Sequence, residues 1–364
     1  MTDLLALTAD LVDIPSVSRD EAVICDVIEQ RMRAVPWLGV ERLGDNVVAR
    51  TELGRPYRLL LVGHVDTVPA NGNERARVEG DVLWGLGAAD MKGGIAVLVD
   101  LAETVAAPAV DVTYVFYAGE EIAAEHNGLR LLFAERPDLV AGDAAILGEP
   151  TEGVVEAGCQ GTMKIEVVLA GARAHTARPW MGRNAVHRLG RLLAVVESFP
   201  ERRPVLDGCE YREALQAVGV EGGVAGNVVP DRATVVLNHR FAPDRSPADA
   251  EGAVRDLLGP VLEDGDTFAV LDVADGAPPG LDHPLLAPLA GPLGLPVRAK
   301  LGWTDVARFA AAGIPACNIG PGDPLLAHTA DELVERASLE SVRDTLTTLL
   351  STAPSPDRGA TATA

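Results

Sequence analysis

Three short runs of apolar and β-branched residues, 58–63, 111–118 and 143–148, each end in a turn that carries an imidazole or a carboxylate, and helical spacing occupies the intervals between them. Runs this short and this uniformly apolar suit strands buried on both faces, as in a parallel sheet. Strands alternating with helices predict an α/β layer with helices on both sides of a largely parallel sheet. The helical spacing is explicit at Val23, Ile24, Val27, Ile28 and Met32, and again over 93–105 after a Gly pair.

After Gly161 the pattern changes. Residues 162–169 alternate polar and apolar, as expected of a sheet with one exposed face, and a helix is expected over 184–198. Strands at 215–221, 232–241 and 267–273, with a helix at 248–258, complete a small antiparallel α+β insert. From about 275 the first pattern resumes, with a helix at 305–312, a strand at 316–319 and a last helix at 339–350. The expected organisation is therefore a discontinuous domain of 1–160 and 275–351, an inserted domain of 161–274, and a disordered tail of small polar residues at 352–364.

With 364 residues, 48% of them hydrophobic, the chain has material for two domains with cores of their own. Its formal charge of −22 argues against nucleic acid and anionic membranes as partners. An anionic substrate would need cations concentrated at its site. The N-terminus carries Asp3 and Asp10 and no basic region, so it reads as an amphipathic helix rather than a signal peptide, and a cytoplasmic location is expected. No apolar run approaches the roughly 20 residues of a membrane span. Cys25, Cys159, Cys209 and Cys317 form no CxxC pair and are expected as buried thiols.

The chemistry sits at the strand ends. Gly63-His64-Val65-Asp66 places an imidazole beside a carboxylate just past a buried strand, where sites in open α/β sheets lie. In Gly87-Ala88-Ala89-Asp90-Met91-Lys92-Gly93 the glycines match no phosphate loop, and instead allow a sharp turn that brings Asp90 to the start of a helix. A carboxylate there can bridge two cations. Glu120 and Glu121 form an acidic pair of which one can ligate and the other stay free as a base. Glu149 stands at another strand end and His328 in a late turn. Two imidazoles and three carboxylates make an N/O donor set suited to two Zn²⁺ or Co²⁺ ions. His126, His187, His239 and His283 have no such company.

These motifs, with Gly148-Glu149-Pro150 and Ala327-His328, resemble the metallo-aminoacylase and carboxypeptidase family that includes succinyl-diaminopimelate desuccinylase and acetylornithine deacetylase. The likeness is nearest to the actinobacterial desuccinylases, through Glu156-Ala157-Gly158-Cys159-Gln160-Gly161-Thr162, Arg173-Ala174-His175-Thr176, Gly226-Asn227-Val228-Val229-Pro230 and Gly302-Trp303-Thr304-Asp305. The resemblance implies a zinc-peptidase-like α/β catalytic domain with a mixed, mostly parallel sheet and an inserted two-layer α+β domain that acts as lid and dimer interface. It implies that His64, Asp90 and Glu149 hold one cation and Asp90, Glu121 and His328 the other, with Asp90 bridging. By the same likeness Glu120 is the general base, Asp66 orients His64, and His175 reaches the reacting carbonyl from the partner of a homodimer. A cis bond at Asp90–Met91 belongs to the same pattern.

The activity so implied is hydrolysis of a small N-acyl amino acid, N-succinyl-LL-2,6-diaminopimelate, to succinate and LL-2,6-diaminopimelate. Arg178, Asn227, Thr304 and Arg308 are the expected substrate contacts, with Lys300 a further cation. The chain departs from the better-known desuccinylases at Gln160, where they often carry Arg, and at Gly302-Trp303-Thr304-Asp305, where they carry Gly-Thr-Ser-Asp. Acetylornithine deacetylase, a general aminoacylase or a dipeptidase are the alternatives within hydrolases. A non-catalytic metal-binding homologue would have no need of a free Glu120.

Overall fold

The computed structural model describes residues 2–352. Of the tail expected over 352–364, all but Thr352 lies outside the described residues. The chain divides into two compact units, one of Met1–Ala157, Pro279–Arg298 and Arg308–Ala364, the other of Gly158–Pro278 and Ala299–Ala307.

The first unit is an α/β fold on an eight-stranded mixed sheet. Its strand order is Gly39–Leu43, Asn46–Arg50, Asp111–Tyr117, Arg58–His64, Ala144–Leu147, Ala316–Asn318, Val155–Ala157, Val297–Ala299. Arg58–His64 runs parallel to both of its neighbours, and Ala316–Asn318 runs parallel to Ala144–Leu147. Antiparallel strands flank this parallel centre. Asp111–Tyr117 and Ala144–Leu147 are buried along their whole length, which explains why they read as unbroken apolar runs. Leu59, Leu61, Val112, Tyr114 and Phe116 share one core with Leu11, Ile28, Val97 and Leu346 of the helices Leu4–Val12, Ala22–Arg33, Gly93–Thr104 and Arg336–Ser351. Phe133 of the helix Gly128–Glu135 meets Phe309 of Val306–Ala311 edge to face at 5.2 Å.

The second unit is a four-stranded antiparallel sheet ordered Ala214–Gly222, Arg232–Phe241, Gly161–Ala170, Thr267–Ala274. Met163, Ile165, Val167 and Leu169 point to one side, as the alternation requires, and pack with Leu189, Leu192 and Val196 of Ala185–Glu197 and with Val254 and Leu258 of Pro247–Leu258. Each such side chain contributes about 1.5–3 kcal/mol by its burial. Both helices are capped by sequence. Asn184 accepts from His187 N, and Ser246 forms a reciprocal capping box with Asp249 ahead of Pro247.

The strands missed from sequence are short or at edges, apart from Asn46–Arg50, an internal strand buried at four of its five positions. Gly39–Leu43 is an edge strand with no fully buried residue, and Arg77–Glu79, Val82–Trp84 and Leu333–Glu335 form a separate sheet of three residues per strand. His126 closes a single 3₁₀ turn, Ala124–His126, and the helix Gly128–Glu135 follows, where Asn127 accepts Arg130 N as its cap. All four cysteines are free and buried, and burial pushes the Cys25 and Cys317 thiols up to about 12. Among the described residues no helix is long and apolar enough to cross a membrane.

The helix Gly93–Thr104 begins against the main chain that follows Ala144–Leu147. A Cβ on Gly94 would lie 2.3 Å from Gly148 O, so only glycine allows the approach. Gly94→Ala is expected to destabilise the fold by about 1–3 kcal/mol, because neither backbone can yield without repacking. Urea denaturation of the two proteins measures the difference.

Candidate active site

Three functional segments leave neighbouring parallel strands at their carboxyl ends. His64 closes Arg58–His64, Glu120 and Glu121 follow Asp111–Tyr117 after Gly119 in a left-handed turn (φ 72°), and Glu149 follows Ala144–Leu147. Asp90 comes from a single π-turn, Ala88–Lys92, entered through Gly87 (φ 77°), and the Asp90–Met91 bond is cis. His328 lies in a late loop and has a positive φ of 63°, uncommon for a residue with a side chain.

These side chains meet within the first unit. His64 Nε2–H donates to Asp90 Oδ1 at 3.0 Å. His328 Nε2–H donates to Glu121 Oε1 at 2.8 Å and stands 3.5 Å from Asp90 Oδ2. The two Asp90 oxygens therefore face two different imidazoles. One donor atom each from His64, Asp90 and Glu121 lies within 4.8 Å of the others. Glu149 is buried, and its charge acts on His64. Behind them, Asp66 is fully buried and accepts Glu120 N at 3.0 Å, Glu121 N at 3.1 Å and Ser18 Oγ at 2.7 Å. His64 Nδ1–H donates to the Asp66 carbonyl at 3.1 Å, which fixes the ring.

The electrostatics follow from this crowding. Burial disfavours a charged His64, yet hydrogen bonds to Asp66 and Asp90 raise its pKa well above the ordinary value. Hydrogen bonds to Asp90 and then Glu121 lift His328 to about 10. Burial opposes ionisation of Asp66, but His64, Ser18 and the Glu120 amide hold it down at about 2. Asp90 is likewise held below its ordinary range, with His328 and His64 outweighing its burial. Carboxylates this close demand positive charge between them, and imidazolium protons supply it in the metal-free protein. Two imidazoles and three carboxylates that can trade those protons for divalent cations are a set that fits a two-cation site.

The expected substrate contacts are distributed. Arg308 belongs to the first unit, and His175, Arg178, Asn227 and Thr304 to the second. His175 and Asn227 are both exposed and lie on adjoining segments, with Thr176 N donating to Asn227 O at 3.0 Å. Arg178 is exposed and Thr304 is buried. Gln160 is also buried, and its Nε2 donates to Arg212 O at 2.9 Å, so it serves the unit's own main chain.

Arg240 was missed. It lies half-buried on Arg232–Phe241, on the sheet face opposite the core residues Leu237 and Phe241. Burial lowers its pKa, and among the described residues no ion pair or hydrogen bond holds its guanidinium. The available signal was strand periodicity, since Asn238 and Arg240 share the face that the apolar residues leave.

Residues 60–352 match the model of Peptidase family M20/M25/M40. The chain belongs to this family. Among its relatives, a succinyl-diaminopimelate desuccinylase of Corynebacterium glutamicum is 45% identical over 336 residues, which cover 91% of each chain. A Mycobacterium tuberculosis protein provisionally named succinyl-diaminopimelate desuccinylase DapE is 51% identical over 347 residues, 94% of this chain and 97% of that one. Aminopeptidase PepT of Bacillus cereus has the same fold, with a TM-score of 0.76 at 18% identity over 96% of this chain and 97% of its own. So has the Bacillus subtilis protein YXEP, described as a dinuclear metal binding peptidase of the M20 family, with a TM-score of 0.68 at 16% identity over 95% and 96%.

A cation can enter only as the imidazoles lose their protons. His328, raised from an ordinary 6.5 to about 10, stabilises the metal-free fold below pH 6.5 and loses that contribution as pH climbs through about 10. Cation affinity should therefore increase over the same window, and zinc binding to metal-free protein at pH 7 should release protons. Calorimetric titrations in buffers of different ionisation enthalpy count them, and zero release would mean that the imidazoles were already neutral.

Proposed function

We propose that this M20-family chain is a two-metal amide hydrolase that splits N-succinyl-LL-2,6-diaminopimelate into succinate and LL-2,6-diaminopimelate, in the cytoplasm, on the route to lysine and cell-wall diaminopimelate. The observation that carries the chemistry is Asp90 standing between His64 and His328, with the Glu120–Glu121 turn fixed by Asp66. The substrate rests on the names of the Corynebacterium and Mycobacterium relatives.

His64, Asp90 and Glu149 would hold one cation, and Asp90, Glu121 and His328 the other, with Zn²⁺ the preferred ion and Co²⁺ a competent substitute. Bound cations there supply Lewis acidity toward the amide carbonyl and make water at the site easier to deprotonate. Glu120 takes a proton from the attacking water as its oxygen bonds to the acyl carbon. The same proton passes to the nitrogen as the C–N bond breaks, so succinate leaves as the acid and diaminopimelate as the amine. Asp66 keeps the Glu120 main chain in place, and His175 donates to the oxygen that becomes negative.

The substrate is an anion approaching an acidic protein, so its carboxylates need fixed cations. Arg178 and Arg308 remain in this role, and Arg240 joins them. A half-buried guanidinium has lost hydration, and a substrate carboxylate restores the lost interaction through two parallel hydrogen bonds. Gln160, engaged with its own main chain, leaves that task to others. Asn227 and Thr304 are proposed as neutral contacts to the substrate.

The second unit also supports a homodimer. Ala214–Gly222 is a sheet edge with Val218 and Val220 each 60% exposed, and Trp180 and Met181 are exposed near the start of Ala185–Glu197. Pairing of this edge with its copy would cover them, and because the His175 and Asn227 segments adjoin, both would be delivered together. Sedimentation should show a dimer, and Val220→Lys should yield monomers of low activity. A fully active monomer removes the cross-subunit role.

The deciding assay compares N-succinyl-LL-2,6-diaminopimelate with N-acetylornithine in the presence of zinc. The wild type should prefer the succinyl diacid, and a preference for acetylornithine would reassign the activity. Glu120→Ala should abolish turnover and keep its metal. Arg240→Ala should cost the succinyl substrate on the order of 2–5 kcal/mol in transition-state binding and the acetyl substrate much less.

A further inference from the structure

We propose that Glu332 is a positioning residue that sets Asp90 relative to His328, so that the two cation sites form together. This inference rests on the two-cation reading above.

Glu332 is a fully internal carboxylate, 1% exposed, beside the exposed Asp331. Its Oε1 accepts the main-chain N–H groups of Ala89 and of Asp90, each at 3.0 Å. Its main-chain carbonyl accepts Gly85 N at 3.1 Å. One residue thus holds both ends of the 85–90 loop that presents Asp90. Immediately after it, Leu333–Glu335 pairs with Val82–Trp84, the strand that leads into the same loop. Asn73 adds a second tie, since Asn73 Nδ2 donates to Thr329 O at 3.1 Å and Leu86 N donates to Asn73 O at 2.8 Å.

The segment that delivers His328 is therefore the segment that clamps Asp90. A shift of either loop would be transmitted to the other through Glu332, and the separation between the two ligands is held at the pair of N–H bonds. Burying a carboxylate is costly unless it is fully used, and Glu332 touches neither water nor any group proposed to meet the substrate. Burial pushes the Glu332 carboxyl up to about 6 against the main-chain N–H groups that favour its charge, and its charge in turn acts on the internal Lys92, whose Nζ donates to Ile14 O at 2.8 Å. What a positioning role requires is reach, an oxygen at the right distance from two N–H groups. A purely electrostatic role would require the charge instead.

Glu332→Gln keeps the reach and loses the charge, and Glu332→Asp keeps the charge and draws the oxygen back by one methylene. The test uses full-length protein stripped of metal, with circular dichroism to establish folding and calorimetric titration with Zn²⁺ alone as the primary readout. Glu332→Gln should bind zinc within about threefold of wild type, while Glu332→Asp should bind it about 10- to 100-fold more weakly, the range seen when groups that orient metal ligands are lost. On the succinyl substrate at saturating zinc, Glu332→Asp should lower kcat and leave KM unchanged. A folded Asp variant with wild-type zinc affinity overturns the proposal, as does a folded Gln variant that has lost zinc binding. An Asp variant that is unfolded with and without zinc also overturns it, by making Glu332 a determinant of the fold. Wild-type protein that binds fewer than two zinc ions would instead refute the two-cation reading, and the Gln and Asp comparison would still report on the cation that Asp90 holds.

Discussion

The buried carboxylate of Asp66 is the interaction on which the site's architecture turns. It collects the Ser18 hydroxyl and the Glu120 and Glu121 amides on its two oxygens, and its main-chain carbonyl takes the His64 ring. These partners come from the N-terminal segment, the end of one central strand and the turn after the next. A carboxylate in so dry a place stays ionised only because donors surround it, and the donors are ordered only because it stays ionised. The Glu120–Glu121 turn is therefore anchored to the end of the sheet beneath it.

Around that anchor the charge distribution is deliberate. A chain with a formal charge of −22 brings Asp90, Glu121 and Glu149 together against two imidazoles, a cluster tolerable only with cations or protons among its members. The acid that makes the site a good cation trap makes it a poor host for a dicarboxylate. In the proposed reading, half-buried guanidinium groups such as Arg240, already stripped of part of their water, would answer that conflict.

Much of this was legible in the sequence because it rests on local rules. The central strands are buried on both faces, so their unbroken apolar character marked them, and strand ends then pointed to His64, Glu120, Glu121 and Glu149. The helices of the second unit were legible as ranges, 184–198 and 248–258, and the structure shows Asn184 and Ser246 capping them by short-range geometry. What escaped depends on distant partners. Glu332 reads as half of an acidic surface pair until the 85–90 loop is folded beside it. Arg240 sits in a strand whose apolar alternation draws attention to its other face. The three-residue strands carry too few side chains to show any period, and exist because their neighbours hold them in register.

His328 and Glu121 touch across 207 residues of chain, and Glu332 reaches back 242 residues to the Asp90 amide. During synthesis on the ribosome, His64, Asp90 and Glu121 emerge early, whereas the last imidazole and the clamp on Asp90 arrive only with the final segment. A nascent or C-terminally truncated chain thus presents an acidic cluster without His328 and without the Glu332 clamp. Completion of the polypeptide is what brings the last imidazole and the Glu332 carboxylate to that cluster.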